Sequence, residues 1–140
     1  MQPVSDDQIA FGRRLGLDLE GKSISEALAM IHDVIDRDFF GLSDLGAATP
    51  KQLEFAAKFQ HNLSHASRRV ADAVVDDLMT ELNLAAIQRE RLAPGVAVKN
   101  KHDIIERKLI ISSIQSDGTI YFKGGNGARA WARSLIRIGD

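Results

Sequence analysis

Tyr121, Phe122 and Trp131 stand close together near the C-terminus, with Lys108, Lys123, Arg129, Arg133 and Arg137 around them. Rings on which bases stack, framed by cations that meet phosphates, are the working parts of sequence-tolerant nucleic-acid binding. Neighbours on an extended strand face opposite sides, so of Tyr121 and Phe122 one is expected in a core and the other on display. Trp131, between Ala130 and Ala132, can join that platform or plug the core of a small barrel, and for this residue alone the core is favoured.

The other chemical constellations are weaker. His61 and His65 have the i,i+4 spacing that sets two imidazoles on one helical face, but a zinc site needs a third and usually a fourth ligand, and the pair spans an expected turn. Asp72, Asp76 and Asp77 read as a solvated helical face on which 72 and 76 repel one another. Gly124-Gly125-Asn126-Gly127, flanked by Lys123 and Arg129, could converge amides on an anion, yet it lacks the Lys-Ser/Thr ending of a phosphate loop and reads as a flexible turn. No carboxylates are paired for acid-base work, and no serine sits in a nucleophile elbow. Ser112-Ser113 read as strand residues, and Ser64 and Ser67 as cap residues. The absence of cysteine excludes thiolate chemistry and disulfides. We therefore expect no enzyme, no catalytic residues, no metal and no cofactor.

The elements that must position these residues fall into two parts. Setting residue 5 under residue 49 aligns two stretches without a gap: Ser5 with Thr49, Gln8 with Gln52, Phe11 with Phe55, Leu15 with Phe59, Leu19 with Leu63, Ser23 with Ser67, Ala27 with Ala71 and Ile31 with Val75. Each copy opens with a Ser/Thr-x-x-Gln capping box, and Pro50 suits the first helical position of the second. A short helix follows, then a turn at Gly16-Leu17-Asp18 or Gln60-His61-Asn62, whose differing residues leave its conformation free to differ. Ser23 or Ser67 then caps a second helix, with the box completed by Glu26 in copy one and left incomplete by Val70 in copy two. Phe11 and Phe55 are expected to be equivalent core anchors, nearly fully buried, and Phe39-Phe40 before Gly41 to fold back onto the helices. The last helix has no breaker until Pro94-Gly95, although Asn83 could divide it.

From Gly95 the apolar period changes to two. Val96 and Val98 alternate, KLIISSI and TIYFK flank the two-residue hairpin signal Asp117-Gly118, ARAWARS is a short strand or single turn, and LIRI closes the chain. Several short strands in this span imply a small closed or half-open barrel. The expected fold is thus α+β: a tandem helix-turn-helix repeat of four to five helices over residues 1–92, with copies at about 5–36 and 49–80, followed by a small antiparallel barrel over 95–140. The apolar face of 82–92, which lacks another partner, should pack on the barrel.

The TPKQ opening, the aromatic residue early in the helix and the later cap resemble small helical repeats of bacterial and phage proteins, often found as tails of nucleic-acid enzymes. GVAVKN, KLIISSIQSDGTIYFKGG and AWARSLIRI resemble Src-homology-3-like barrels of the Tudor and KOW kind. These likenesses imply a binding module without catalytic machinery.

Charge divides the same way. Residues 1–46 carry four Lys/Arg against nine Asp/Glu, residues 47–91 six against six, and residues 92–140 eight against four. The cationic C-terminal part with its aromatics points to nucleic acid, DNA or RNA, bound through Lys108, Tyr121, Lys123, Arg129, Trp131, Arg133 and Arg137. The acidic first repeat supports a second reading, a protein-interaction or adaptor protein of phage or mobile-element type that binds a host protein. No apolar run reaches the length of a membrane span and no leader is evident, which gives a cytoplasmic expectation with no membrane partner.

Overall fold

The computed structural model describes residues 3–124 and 127–139. In chain order they form α1 (Asp6–Arg14), α2 (Ile24–Asp38), α3 (Pro50–Ala57), α4 (Arg68–Glu90), β1 (Ala97–Asn100), β2 (Leu109–Ile114), β3 (Thr119–Phe122), β4 (Arg129–Trp131) and β5 (Leu135–Arg137), with one 3-10 turn at Ala132–Ser134. Two compact units divide between Leu78 and Met79, inside α4.

In the first unit the duplication holds to the level of single hydrogen bonds. Both capping boxes close, Ser5 with Gln8 and Thr49 with Gln52. Both short helices then end in a Schellman turn, in which a left-handed residue lets two amides return to the last free carbonyls. Leu17 N–H reaches the Gly12 carbonyl at 2.8 Å, as His61 N–H reaches that of Ala56 at 3.0 Å, and Gly16 and Gln60 N–H reach Arg13 and Ala57. Gly16 has φ 79° and its counterpart Gln60 has φ 65°, so the turn conformation is shared although only one copy has the glycine that suits it. The carboxyl of Asp18 and the amide oxygen of Asn62 accept from Glu20 and Ser64 N–H, and Leu19 and Leu63 fold inward and are buried.

The expected phenylalanine anchors are a correction. Phe11 is 46% exposed and Phe55 only half-buried, whereas the next residues, Gly12 and Ala56, are buried. One residue is about 100° round a helix, so the contact face is set by the small residues and the rings lie on its flank. A Cβ on Gly12 would stand 2.5 Å from Leu19 Cδ1. Phe55 and Phe59 cover one another, with ring centroids 5.2 Å apart.

The second helices lock the copies together by an exchange. Ser23 Oγ accepts from Glu26 N–H and donates to Asp77, while Ser67 Oγ accepts from Val70 N–H and donates to Asp33. Ser23 corresponds to Ser67 and Asp33 to Asp77, so the contact is isologous, as in a two-fold dimer, within one chain. Arg69 bridges Asp33 and Asp36.

The expected burial of Phe39 and Phe40 is also corrected: they are 74% and 71% exposed. The buried stripe of α2 runs through Ala27, Ile31 and Val34, and its next helical position is Asp38. The phenylalanines fall beyond it, on a turn that peels away at Gly41 (φ 67°).

In the second unit α4 passes Asn83 without a break. Leu92 N–H returns to the Ile87 carbonyl past left-handed Arg91, φ 51°, and ends the helical run. Ala86 and Leu92 join Val98, Ile111, Ile120, Phe122, Ala132 and Leu135 in one core, so the expected packing of 82–92 against the strands is present. The five strands are antiparallel in the order β4-β3-β2-β1-β5. β2 pairs first with β1 and then with β3, with a register irregularity between Ile111 and Ser113. The expected barrel is not formed. β4 and β5, three residues each, lie at opposite edges of the order, and among the described residues no ladder joins them.

Candidate functional site

The inward alternation of Ile120 and Phe122 on β3 turns Thr119 and Tyr121 to the other face. Register then sets Trp131 opposite Thr119 and Arg129 opposite Tyr121, so Tyr121 and Trp131 are diagonal neighbours across the β3–β4 ladder. With the turn before β3 they line an open groove of about 710 Å³, bounded by Gln115, Ser116, Asp117, Thr119, Tyr121, Arg129, Ala130 and Trp131.

The turn is the firmest wall of this groove. Gln115 N–H donates to the Thr119 carbonyl at 2.8 Å and Gly118 N–H to that of Gln115 at 3.0 Å. The loop has three residues, Ser116 to Gly118, and not the expected two, and Gly118 takes the left-handed φ of 89° that closes such a hairpin. From α4, buried Asn83 donates through Nδ2 to the Asp117 carbonyl at 3.1 Å, and Ala132 N–H donates to the Gly118 carbonyl at 3.0 Å. The helix sits so close that a Cβ on Gly118 would stand 2.2 Å from Asn83 Cβ.

The same asparagine supports the aromatic wall. Its Oδ1 accepts from Arg133 N–H and Nη1, each at 3.3 Å, and the Arg133 guanidinium carbon lies 5.3 Å from the Trp131 ring centroid. One buried amide thus fixes both the turn and the cation that steadies the indole. The Asp117 carboxyl accepts Thr119 N–H at 2.9 Å. That amide, with the Thr119 hydroxyl, holds its pKa below the ordinary 3.8, so it is ionised at neutral pH.

Trp131 is 45% exposed and is not a core plug; the core of the sheet unit is filled by Ile111, Ile120 and Leu135, all fully buried. The displayed member of the Tyr121–Phe122 pair is Tyr121, half-buried at the groove, while Phe122 is core. Of the expected binding residues, Tyr121, Arg129 and Trp131 come together, with Arg133 against Trp131. Lys108 and Lys123 are exposed at the other end of β2, one preceding it and one following β3. Arg137 Nη1 donates to the Arg91 carbonyl at 2.7 Å, where the helical run of α4 ends.

Gln115, Ser116, Asp117 and Thr119 were missed as site residues, because Asp117-Gly118 is fully explained as turn chemistry. Asn83 was missed because its partners are 34 and 50 positions away. Ile104, almost wholly exposed on the β1–β2 loop, and Ile105, about three-quarters exposed, carried no distinguishing signal either; Asp103 braces that loop by accepting from Ile105 N–H and Arg107.

Among the described residues no three His, Cys, Asp or Glu side chains group to hold a metal. His65 lines a separate groove with Leu17, Glu26 and Met30. Asp72 accepts from Gln52 and Arg68, which hold its pKa down, whereas burial, with Asp72 and Asp77 adding repulsion, raises that of Asp76. Gly125 and Asn126 of the glycine-rich turn lie outside the described residues. No described helix is long and apolar enough to cross a membrane. Comparison with protein-family models, with curated proteins and with solved structures finds no match.

Proposed function

We propose that the protein is a non-enzymatic, cytoplasmic nucleic-acid-binding module that holds single-stranded DNA or RNA in the groove on β3 and β4. The observation that carries this reading is the outward diagonal pair of Tyr121 and Trp131, with Arg129 beside the tyrosine and Arg133 against the indole. A base stacked on such a ring contributes about 1–3 kcal/mol, and an arginine alongside can meet its phosphate. Two guanidiniums against one carboxylate favour an anionic ligand over a cationic peptide. The scaffold is read as Src-homology-3-like: four strands in a meander, a 3-10 turn, and a fifth strand returning to β1 are consistent with that family's plan, half-open here.

Trp131 is the sole tryptophan, so its fluorescence reports directly on the groove. Titration with single-stranded oligonucleotides at low salt should quench it saturably, and raising salt should weaken binding by a factor that fixes the number of phosphates met. Trp131→Ala, followed by anisotropy of labelled oligonucleotide, should lose at least tenfold in affinity, the effect of about 1.4 kcal/mol. No quenching and no anisotropy change at low salt with any single-stranded or duplex nucleic acid overturns the reading.

A second reading, an adaptor of phage or mobile-element type that binds a host protein, is favoured by Phe39 and Phe40, displayed beside Asp38 in the acidic part of the chain. Capture of a defined protein from nuclease-treated bacterial lysate, lost in Phe39→Ser/Phe40→Ser, is its expected result. Capture unchanged by that double substitution removes the reason for it.

A further inference from the structure

Resting on the single-strand reading above, we propose that the groove selects guanine, with Asp117 taking the pairing edge of the base while it stacks on Trp131 and Arg129 faces its opposite edge. A carboxylate is out of place in a groove that receives a phosphate chain, because it repels phosphate and can only accept hydrogen bonds. A base lying against it must therefore offer donors. Asp117 is held at the groove by its turn: Asn83 fixes its carbonyl, and its carboxyl engages Thr119 N–H, the Thr119 hydroxyl and its own amide; a carboxylate has about four acceptor sites, so capacity for a ligand's donor remains.

The bases differ in what they offer such a group. On its pairing edge guanine presents two adjacent donors, N1–H and the N2 amino group, which match the two oxygens of a carboxylate. Adenine and cytosine place one amino group beside an acceptor, and thymine and uracil place one N–H between two carbonyls. Guanine's opposite edge carries two acceptors, O6 and N7, the pair that arginine recognises bidentately. The strand register supplies both partners in order: the turn with Asp117 leads into Thr119, Trp131 stands opposite Thr119, and Arg129 follows opposite Tyr121. Along the ladder the position of Trp131 thus falls between those of Asp117 and Arg129. Guanine is the one common base with two donors for the first and two acceptors for the second.

The test uses the full chain and Trp131 fluorescence. A thymine octamer is compared with the same octamer carrying one central guanine, adenine, cytosine or hypoxanthine, and RNA counterparts separate DNA from RNA. The guanine oligomer should bind on the order of tenfold tighter than the thymine one, the discrimination of one bidentate pair. Hypoxanthine, which lacks only the N2 amino group, should lose most of that gain, and 7-deazaguanine should isolate the share of Arg129. Asp117→Asn keeps an oxygen for Thr119 N–H and an Asn-Gly turn; the ratio of guanine to thymine affinity should fall from about tenfold toward one, whatever the loss of a charge does to the affinity for thymine itself. Equal affinity for all oligomers overturns the guanine assignment and leaves single-strand binding standing, whereas absence of binding to all of them overturns both. A guanine preference that survives in Asp117→Asn overturns the role of Asp117.

Discussion

The first unit and the second use their polar side chains in opposite ways. In the helical repeat they point at one another: Ser23 to Asp77, Ser67 to Asp33, Arg69 to Asp33 and Asp36, Gln52 to Asp72. In the sheet unit one buried amide, Asn83, gathers the turn and Arg133, and around that support Tyr121, Arg129, Asp117 and Trp131 face the groove. A surface satisfied by its own pairs has little left for a ligand, whereas one whose support is internal and whose working groups face outward is built to receive one. The proposed binding groove accordingly lies in the sheet unit.

The largest effect should come from the contact that supports the groove. Gly118→Ala meets a left-handed φ and a Cβ position 2.2 Å from Asn83 Cβ, which together should cost roughly 2–5 kcal/mol. Urea denaturation followed by circular dichroism measures it. A loss below about 0.5 kcal/mol would mean that α4 and the turn separate readily and that the support is weaker than drawn.

The exchanged caps come next. Ser67→Ala removes a cap worth about 1 kcal/mol and takes a donor from Asp33, whose Oδ1 already lacks a hydrogen-bond partner, for a total of about 2–3 kcal/mol. Ser23→Ala should cost a similar amount through Asp77. Unequal losses, differing by more than about 1 kcal/mol, would break the symmetry of the repeat.

The smallest effect sharpens the comparison between copies. Gln60→Gly places the residue type of copy one in the left-handed position of copy two, φ 65°, and should stabilise by about 0.5–1 kcal/mol once the greater freedom of unfolded glycine is counted. A destabilised variant would show that the Gln60 side chain makes a contact worth more than the strain it bears.

The duplication was legible because caps are local: Ser5-x-x-Gln8 and Thr49-x-x-Gln52 declare themselves within one turn of helix. The phase of the buried face was not, since size drew attention to Phe11 and Phe55 while the contact is made by Gly12 and Ala56, whose value is closeness of approach. The strands were legible from their period of two. Closure was not, because it depends on whether β4 meets β5, a pairing between edges that no local pattern encodes. Asn83 reads as a flaw in α4 when taken alone, and becomes a support only when Asp117 and Arg133 arrive beside it. That one of Tyr121 and Phe122 is displayed followed from their alternation; that Trp131 joins it did not, because its alanine neighbours suit a core plug as well, and the acidic wall was hidden by the adequacy of Asp117-Gly118 as a turn.

The exchange of Ser23 and Ser67 across the repeat also bears on how the first unit opens. In a linear solenoid the terminal repeat can peel away while its neighbours stay folded. Here, fraying the start of α2 strips a donor from Asp77 in α4, and fraying the start of α4 strips one from Asp33 in α2. Neither helix start can loosen without weakening a contact of the other copy, so the amides of Glu26 and Val70, held by those hydroxyls, should show similar protection in hydrogen exchange.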